Sequence, residues 1–400
     1  MINATMTPLP RELPLGRPAR ALWSLTEGAS LLNHGSYGAV PRVVQQAQQQ
    51  LRAQMEAHPD GFMARIEPPG GERAPRQVAA AVAQLVGTRG ERLALVENAT
   101  SAVQAVLNSL PFGQGDCILL TDHQYNAVRL AVEARCRETG ATPQVVRLPL
   151  PLSDDAIVER VLDAAGPHVK LAVLDHITSG SALRLPVERI APELRQRGIP
   201  VFIDGAHAVG QIPLDLDALP VDWYVSNLHK WAYAPRGSAF LYAAHGAASL
   251  TRPVVVSHYI GMGFPHSFDY TGTRDYTAWL AVPRALQFLD ELGVERLRAH
   301  HTDVVRVGSE ALLGIGAQPL APAADGLAMR SFLLPQTRPA VDADGASVCR
   351  ELWQQARIQT RCTRHGAVLL LRFCAQAYVA ADELTALAAA LDRLGWPARR

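Results

Sequence analysis

The sequence predicts an α/β protein, a mostly parallel sheet flanked by helices, followed by a smaller α+β unit. Three observations carry that reading. Up to about residue 290, short continuous apolar runs alternate with helical patterns, which is how strands covered on both faces read. Beyond that point the pattern changes to helices and strands in a looser order. The chain's 400 residues also exceed what one compact core accommodates. The divisions are an arm over 1–30 packing with the small unit, a large unit over 31–289 and the small unit over 290–400.

Taken in order, residues 1–30 are proline-rich and read as an extended arm. A helix runs from Pro41 to about His58, with Pro41 in the first helical position, where its missing N–H costs nothing. A second helix spans 72–86, and Gly87 is its C-cap. Apolar runs at 117–120, 171–174, 201–203 and 224–225 read as buried strands. Helical spacing falls near 101–110, 126–139, 154–164 and 187–197. After 290 come a helix, a strand at 331–334, a helix over 344–357, a strand at 367–373 and a last helix at 381–394.

The composition narrows the function classes. Lys+Arg 38 against Asp+Glu 37 leaves a net charge of +1, so no global field draws nucleic acid or an anionic membrane. The opening MINATMTPLPRELPLGRP has no apolar core of signal-peptide length, and no apolar run reaches a bilayer's thickness. Cys117, Cys136, Cys349, Cys362 and Cys374 are scattered and form no C-x-x-C. They read as reduced thiols of a cytoplasmic protein, with neither a disulfide framework nor a zinc site. The histidines lack the H-x-x-x-H spacing of a metal pair on a helix.

In open α/β sheets, ligands bind beyond the carboxyl ends of the strands. There the sequence places Asp122-His123-Gln124-Tyr125, Asp175-His176, Asp204-Gly205-Ala206-His207 and Asn227-Leu228-His229-Lys230. Asp204, closing a buried strand, needs a cationic or N–H partner. It either caps the next helix or holds a ring nitrogen protonated. Glu97-Asn98-Ala99-Thr100-Ser101 opens a helix, with Thr100 or Ser101 as the natural N-cap; such a terminus also seats a phosphate. Lys230, between a strand and a Pro/Gly turn, is either a solvated lysine or an amine for a Schiff base. Phosphate seat, ring-nitrogen carboxylate and amine together are what pyridoxal phosphate (PLP) requires.

The stretches "LNHGSYGAVP" (32–41), "ENATSAVQAVL" (97–107), "DHQYNA" (122–127), "DHITS" (175–179), "FIDGAHAVGQIPLDL" (202–216), "SNLHKWAYAPRGSAFLY" (226–242), "TGTRDYTAWLAVP" (271–283) and "RFCAQAY" (372–378) carry a resemblance. Together they resemble the class V aminotransferase family of fold-type-I PLP-dependent enzymes, most closely its isopenicillin N epimerase-like branch. The resemblance implies a fold-type-I PLP-dependent transferase-like large domain with a smaller α+β C-terminal domain. It implies that Lys230 bonds the cofactor, Asp204 pairs with its ring nitrogen and His207 sits near its phenolic oxygen. Tyr125 takes the stacking position, and Thr178 lies near the ring. Ala99, Thr100, Asn227 and His229 hold the phosphate, joined by Thr273 from the second subunit of a homodimer. Arg372 grips the α-carboxylate of a small amino-acid substrate. Tyr125 and His229 could instead be core residues, and Arg372 a structural ion-pair partner.

An amino-acid epimerase is the leading expectation; it needs an acid opposite Lys230, and Tyr125, His34 and Tyr37 are the candidates. A C–S lyase is second, a transaminase third. A desulfurase needs a mobile-loop cysteine, and Cys362 in Arg361-Cys362-Thr363-Arg364-His365-Gly366 directly follows the arginine instead of lying further along a loop. A PLP-binding regulator is the non-enzyme alternative, but the first thirty residues are too short for a helix-turn-helix module. Side-chain specificity is assigned to the loops at 58–70 and 258–272, where Arg65 and His258 could serve a polar substrate.

Overall fold

The computed structural model describes residues 13–67, 73–151, 153–321, 326–334, 345–366 and 368–396. The prolines before Leu13, part of the 58–70 loop and the final Ala398-Arg399-Arg400 lie outside them. The strands, in chain order, are β1 (Ser30–Leu31), β2 (Leu93–Val96), β3 (Cys117–Thr121), β4 (Thr142–Val146), β5 (Val169–Asp175), β6 (Val201–Asp204), β7 (Trp223–Asn227), β8 (Ala239–Ala243), β9 (Gln318–Pro319), β10 (Met329–Leu334), β11 (Ile358–Gln359), β12 (Arg361–His365) and β13 (Val368–Cys374).

A seven-stranded sheet has the order β2-β8-β7-β6-β5-β3-β4. Pairings from β4 through β7 are parallel, and β8 runs antiparallel to both of its neighbours. The carboxyl ends of β3, β5, β6 and β7 therefore share one edge, where the sequence reading put the ligand. The sheet is buried on both faces because successive side chains alternate into two cores. Leu119, Leu174, Ile203 and Tyr224 join one, under the helices Ala74–Val86 and Val187–Gln196. Ile118, Val173, Phe202 and Val225 join the other, under Ala99–Ser109 and Asn126–Thr139. Each fully buried aliphatic or aromatic side chain contributes roughly 1.5–3 kcal/mol, which offsets the conformational entropy of ordering the sheet.

A second, antiparallel sheet, β12-β13-β10-β9, lies in the C-terminal part, backed by Val294–Gly314 and Ala381–Arg393. The N-terminal segment is tied to that part: the Gly16 N–H donates to the Ala377 carbonyl at 2.7 Å. Arg20 lies 3.5 Å from Glu383, and β1 pairs in parallel with β11.

The structure corrects several boundaries. Pro41 is the N-cap of Arg42–Ala57, with extended backbone, and not its first residue. The strands β2, β4 and β8 were missed; the pattern of β8 is short and gives no sign of its antiparallel direction. The largest correction is β12: the stretch around Cys362 is a strand, not a loop. Cys362 is buried there, and its N–H points at the Cys349 sulfur at 3.2 Å.

Candidate active site

The strand ends converge as expected. Lys230 follows β7 in a turn of buried residues, and its amine lies 3.1 Å from His207 Nε2. Two glycines let neighbouring backbone approach this turn. At Gly38 (φ 68°) a Cβ would stand 1.8 Å from the His229 carbonyl, and at Gly210 (φ 86°) 2.4 Å from that of Trp231. Both also adopt the left-handed backbone that favours glycine.

The protonation of the Lys230–His207 contact follows from its other bonds. Trp231 Nε1–H donates to His207 Nδ1 at 3.3 Å, so Nδ1 is unprotonated and Nε2 carries the hydrogen. Nε2–H then needs an acceptor, and the lysine amine accepts only when neutral. The electrostatics move in the same direction: burial lowers Lys230 to about 8, opposed by the charge of Asp204, so the neutral amine becomes the main form only above that pH. Burial, with Lys230 and Arg372 nearby, also holds His207 well below the usual histidine range.

Asp204 is buried, and one of its oxygens accepts the Ala206 N–H at 3.0 Å. No cation is hydrogen-bonded to it among the described residues. Asp175 stands beside it in register across β5 and β6, and one Asp175 oxygen has no partner. Two adjacent buried carboxylates do not both ionise cheaply. Burial raises both, and the Asp204 charge pushes Asp175 further, well above the carboxylate range, so Asp175 is the one of the pair that keeps a proton more readily.

Arg372 projects from β13 into the same region and is 2 % exposed. Its partners are neutral: the Ser179 carbonyl at 2.5 Å, Asn33 Oδ1 at 2.8 Å and Ser36 Oγ at 3.1 Å. The reading of Arg372 as a structural ion-pair member is therefore overturned; among the described residues no carboxylate neutralises it. A buried guanidinium without a counter-charge is costly, and an incoming anion removes that cost.

At the start of Ala99–Ser109 the N-cap is Asn98, not Thr100 or Ser101. Its extended backbone aims the side-chain oxygen at the Ser101 N–H, 2.9 Å away. Ala99 N–H donates to Asn227 Oδ1 at 3.0 Å, while Thr100 is exposed at the opening of the helix. Ala99, Thr100, Asn227, His229, Asp204, His207, Tyr125 and Lys230 all line one cavity of about 310 Å³. A wider cleft of about 790 Å³ shares Lys230, Tyr125, Ser36, Tyr37 and Ser179 with it and adds Arg372.

Some expected residues stand elsewhere. The Thr178 hydroxyl bonds Ser181 Oγ at 2.7 Å and the Leu183 N–H at 2.8 Å, and its neighbour Ser179 lines the cleft instead. Thr273 is exposed, 3.2 Å from the Tyr270 hydroxyl, and lines neither cavity. Tyr125 is 47 % exposed, so it is not a core aromatic. His34 is no free acid: it is buried, with Nε2 on the Lys230 carbonyl at 2.8 Å and Nδ1 on the Tyr378 hydroxyl at 2.9 Å. Burial lowers it to about 4. Tyr37, 74 % exposed, does line both cavities. Arg65 and His258 line neither. Sequence reasoning missed Asn33, Ser36 and Ser179, although each lies inside a stretch it had singled out.

Comparison with known proteins defines the class. The Aminotransferase class-V family model matches residues 31–340. The chain is 35% identical to the isopenicillin N epimerase of Amycolatopsis lactamdurans, over 94% of this chain and 98% of that protein. It is 37% identical to the putative L-cysteine desulfhydrase 1 of Oryza sativa subsp. japonica, over 70% of this chain but 62% of that one. In fold it resembles the cystine C–S lyase C-DES, solved in complex with cysteine persulfide, with TM-score 0.77, 22% identity and 91% and 97% of the two chains covered. A C-DES variant with glycine linked to its PLP cofactor gives TM-score 0.80 at 22% identity, over 93% and 98% of the chains. The chain belongs to the aminotransferase class-V family and is a PLP-dependent enzyme. Its residues fit that cofactor: a buried amine lowered to about 8, a buried carboxylate with no bonded cation among the described residues and an open helix terminus share one cavity.

Proposed function

We propose that this enzyme acts at the α-carbon of an amino acid, most closely as an isopenicillin N epimerase-like epimerase, with C–S lyase as the second reading. What carries the α-carbon assignment is the placement of Lys230 and Arg372 on one cleft, a buried amine whose charge burial disfavours and a buried guanidinium with no counter-charge among the described residues. The similarity to two epimerases over nearly their whole length favours the first reading. The 37% identity to one putative L-cysteine desulfhydrase, over a shorter stretch, keeps the second.

When bound, the cofactor supplies an electron sink for negative charge at the substrate's α-carbon. Asp204 would pair with the ring nitrogen and favour its protonated form, with Asp175 beside it the carboxylate that keeps a proton more readily. Asn227, His229, Ala99 and Thr100 surround the phosphate. Thr178 would act only behind Ser181, which lines the wider cleft, and Thr273 would serve a neighbouring subunit's site in a homodimer. Arg372 takes the α-carboxylate through its planar fork, which fixes the α-carbon relative to Lys230. The Lys230 amine then removes the α-proton. Inversion needs a second proton donor across the cleft, and Tyr125 and Tyr37 are the exposed hydroxyls positioned to line it.

Incubation with L-amino acids in deuterated water tests the reading. An epimerase gives D-enantiomer with deuterium at the α-carbon and releases neither pyruvate nor ammonia. Pyruvate with sulfide or another β-substituent instead selects the lyase, and keto acid selects the transaminase. Absence of α-exchange with any amino acid contradicts both proposed readings.

A further inference from the structure

The short helix His34–Tyr37 stands between the two groups that the proposed function uses. Asn33 just before it and Ser36 within it accept from Arg372. His34, between those two in sequence, faces the Lys230 turn instead and lines neither cavity. Gly35 permits the close approach: a Cβ there would stand 3.1 Å from the Trp231 ring and 3.5 Å from the His207 ring.

The Lys230 carbonyl belongs to the peptide that joins Lys230 to Trp231. Among the described residues no backbone N–H reaches it, and His34 Nε2 does, at 2.8 Å. A carbonyl only accepts, so Nε2 carries the hydrogen and Nδ1 accepts the Tyr378 O–H at 2.9 Å. Burial lowers His34 to about 4, so this direction of bonding holds at neutral pH. The rings of Trp231, Tyr233 and Tyr378 surround the imidazole at 5.3, 5.9 and 5.8 Å between centroids. Backbone bonds close the turn at its ends, from Leu228 N–H to the Ser238 carbonyl and from Ala234 N–H to the Leu228 carbonyl, both 3.1 Å. Within it, Tyr233 adopts φ 61°, a left-handed backbone that persists in a bulky residue only where its surroundings over-determine it.

We infer that His34 is a positioning residue for Lys230: its Nε2–H bond fixes the plane of the Lys230–Trp231 peptide, and with it the direction of the amine. The same plane sets the Trp231 indole, which donates to His207 at 3.3 Å, while the amine lies 3.1 Å from the other nitrogen of that ring. One hydrogen bond therefore orients both the flexible lysine stem and the group that fixes the His207 tautomer. Tyr378 acts one step further out, by keeping Nδ1 an acceptor. His34 itself neither touches the amine nor moves a proton. The inference rests on the proposed function only in taking Lys230 as the group that acts at the α-carbon.

Two amide side chains divide the imidazole between them. Glutamine carries an N–H near the position of Nε2, and asparagine an oxygen near that of Nδ1. The first measurement is the rate at which cofactor-free protein captures added PLP at fixed pH, read by absorbance, which involves no amino acid. His34→Asn is expected to slow capture roughly tenfold or more, and His34→Gln to rescue it to within about threefold of the wild type. In the loaded proteins, α-deuterium exchange in His34→Asn is expected to lose kcat while KM stays within about twofold, because Arg372 keeps Asn33 and Ser36. Should His34→Asn not fold, His34→Met, which keeps the bulk without the donor, replaces it with the same expectations. Capture at the wild-type rate in the folded donor-less variant overturns the inference, and so does a His34→Gln protein as slow as that variant. A wild type that exchanges no amino acid overturns the proposed function instead and leaves the capture comparison standing.

Discussion

The inner end of the cleft and its mouth differ in burial, in charge and in the elements that supply them. The inner end is made by strand termini of the parallel sheet, and Asp175, Asp204, His207 and Lys230 are all buried there. Their protonation is biased by burial and by neighbours: Trp231 sets the His207 tautomer, burial lowers Lys230 and Asp175 keeps a proton more readily than Asp204. The mouth is made by β12 and the segment after β4, where Arg147 and Arg361 are exposed and Arg364 is half-buried. A rigid buried constellation suits cofactor chemistry shared by a whole family, whereas an exposed rim can change charge without disturbing the sheet.

Arg372 lies where the two regions meet, and its loss should have the largest effect among the binding residues. Arg372→Gln is expected to raise KM for any α-amino acid roughly 10- to 100-fold, with a smaller change in kcat. An unchanged KM would place the α-carboxylate elsewhere and break the division drawn at this residue.

A second prediction concerns pH at the inner end. Lys230 titrates near 8 in the folded chain, below the usual lysine value, because burial penalises its charge. The reactive amine is therefore lost about tenfold per pH unit below 8. Capture of added pyridoxal phosphate by the cofactor-free protein, followed by absorbance, should rise with pH and level off above about 8. A continued rise towards 10.5 would show an ordinary solvated lysine. The same shift has a stability consequence. Between about 8 and 10.5 the unfolded chain holds a proton that the folded one does not, so the cofactor-free protein gains stability as pH rises through that window.

The smallest effect is expected at Cys362. It is a buried residue of β12 whose N–H points at Cys349, not a mobile sulfur acceptor. Cys362→Ala should leave turnover within about twofold while costing on the order of 1 kcal/mol of stability. A hundredfold loss of turnover with the fold intact would return the cysteine to the chemistry.

The same contrast explains what was legible in the sequence. The inner site was readable because each residue follows a strand with an uninterrupted apolar pattern, so the topology alone carries Asp204 and Lys230 to one edge. Helix boundaries such as 154–164 were readable for a similar local reason: Ser153 accepts the Ala156 N–H at 3.3 Å, and two aspartates open the helix. The mouth was not readable. Arg361-Cys362-Thr363-Arg364-His365 has no apolar alternation, so β12 looked like a loop, and its pairing with β13 is what sets Arg361 opposite Arg372. The Asn98 cap was hidden because Asn, Thr and Ser follow one another closely and each can cap. His34 looked available because nothing local shows that the Lys230 carbonyl and Tyr378 occupy both its nitrogens.

The central claim is that the Lys230 amine moves the α-proton. The most direct measurement is α-deuterium incorporation into L-amino acids by the Lys230→Ala variant loaded with PLP, beside the wild type. The account predicts wild-type exchange and none above background in the variant, with the amino acid still altering the bound cofactor's absorbance through Arg372. Exchange at the wild-type rate in Lys230→Ala would contradict it.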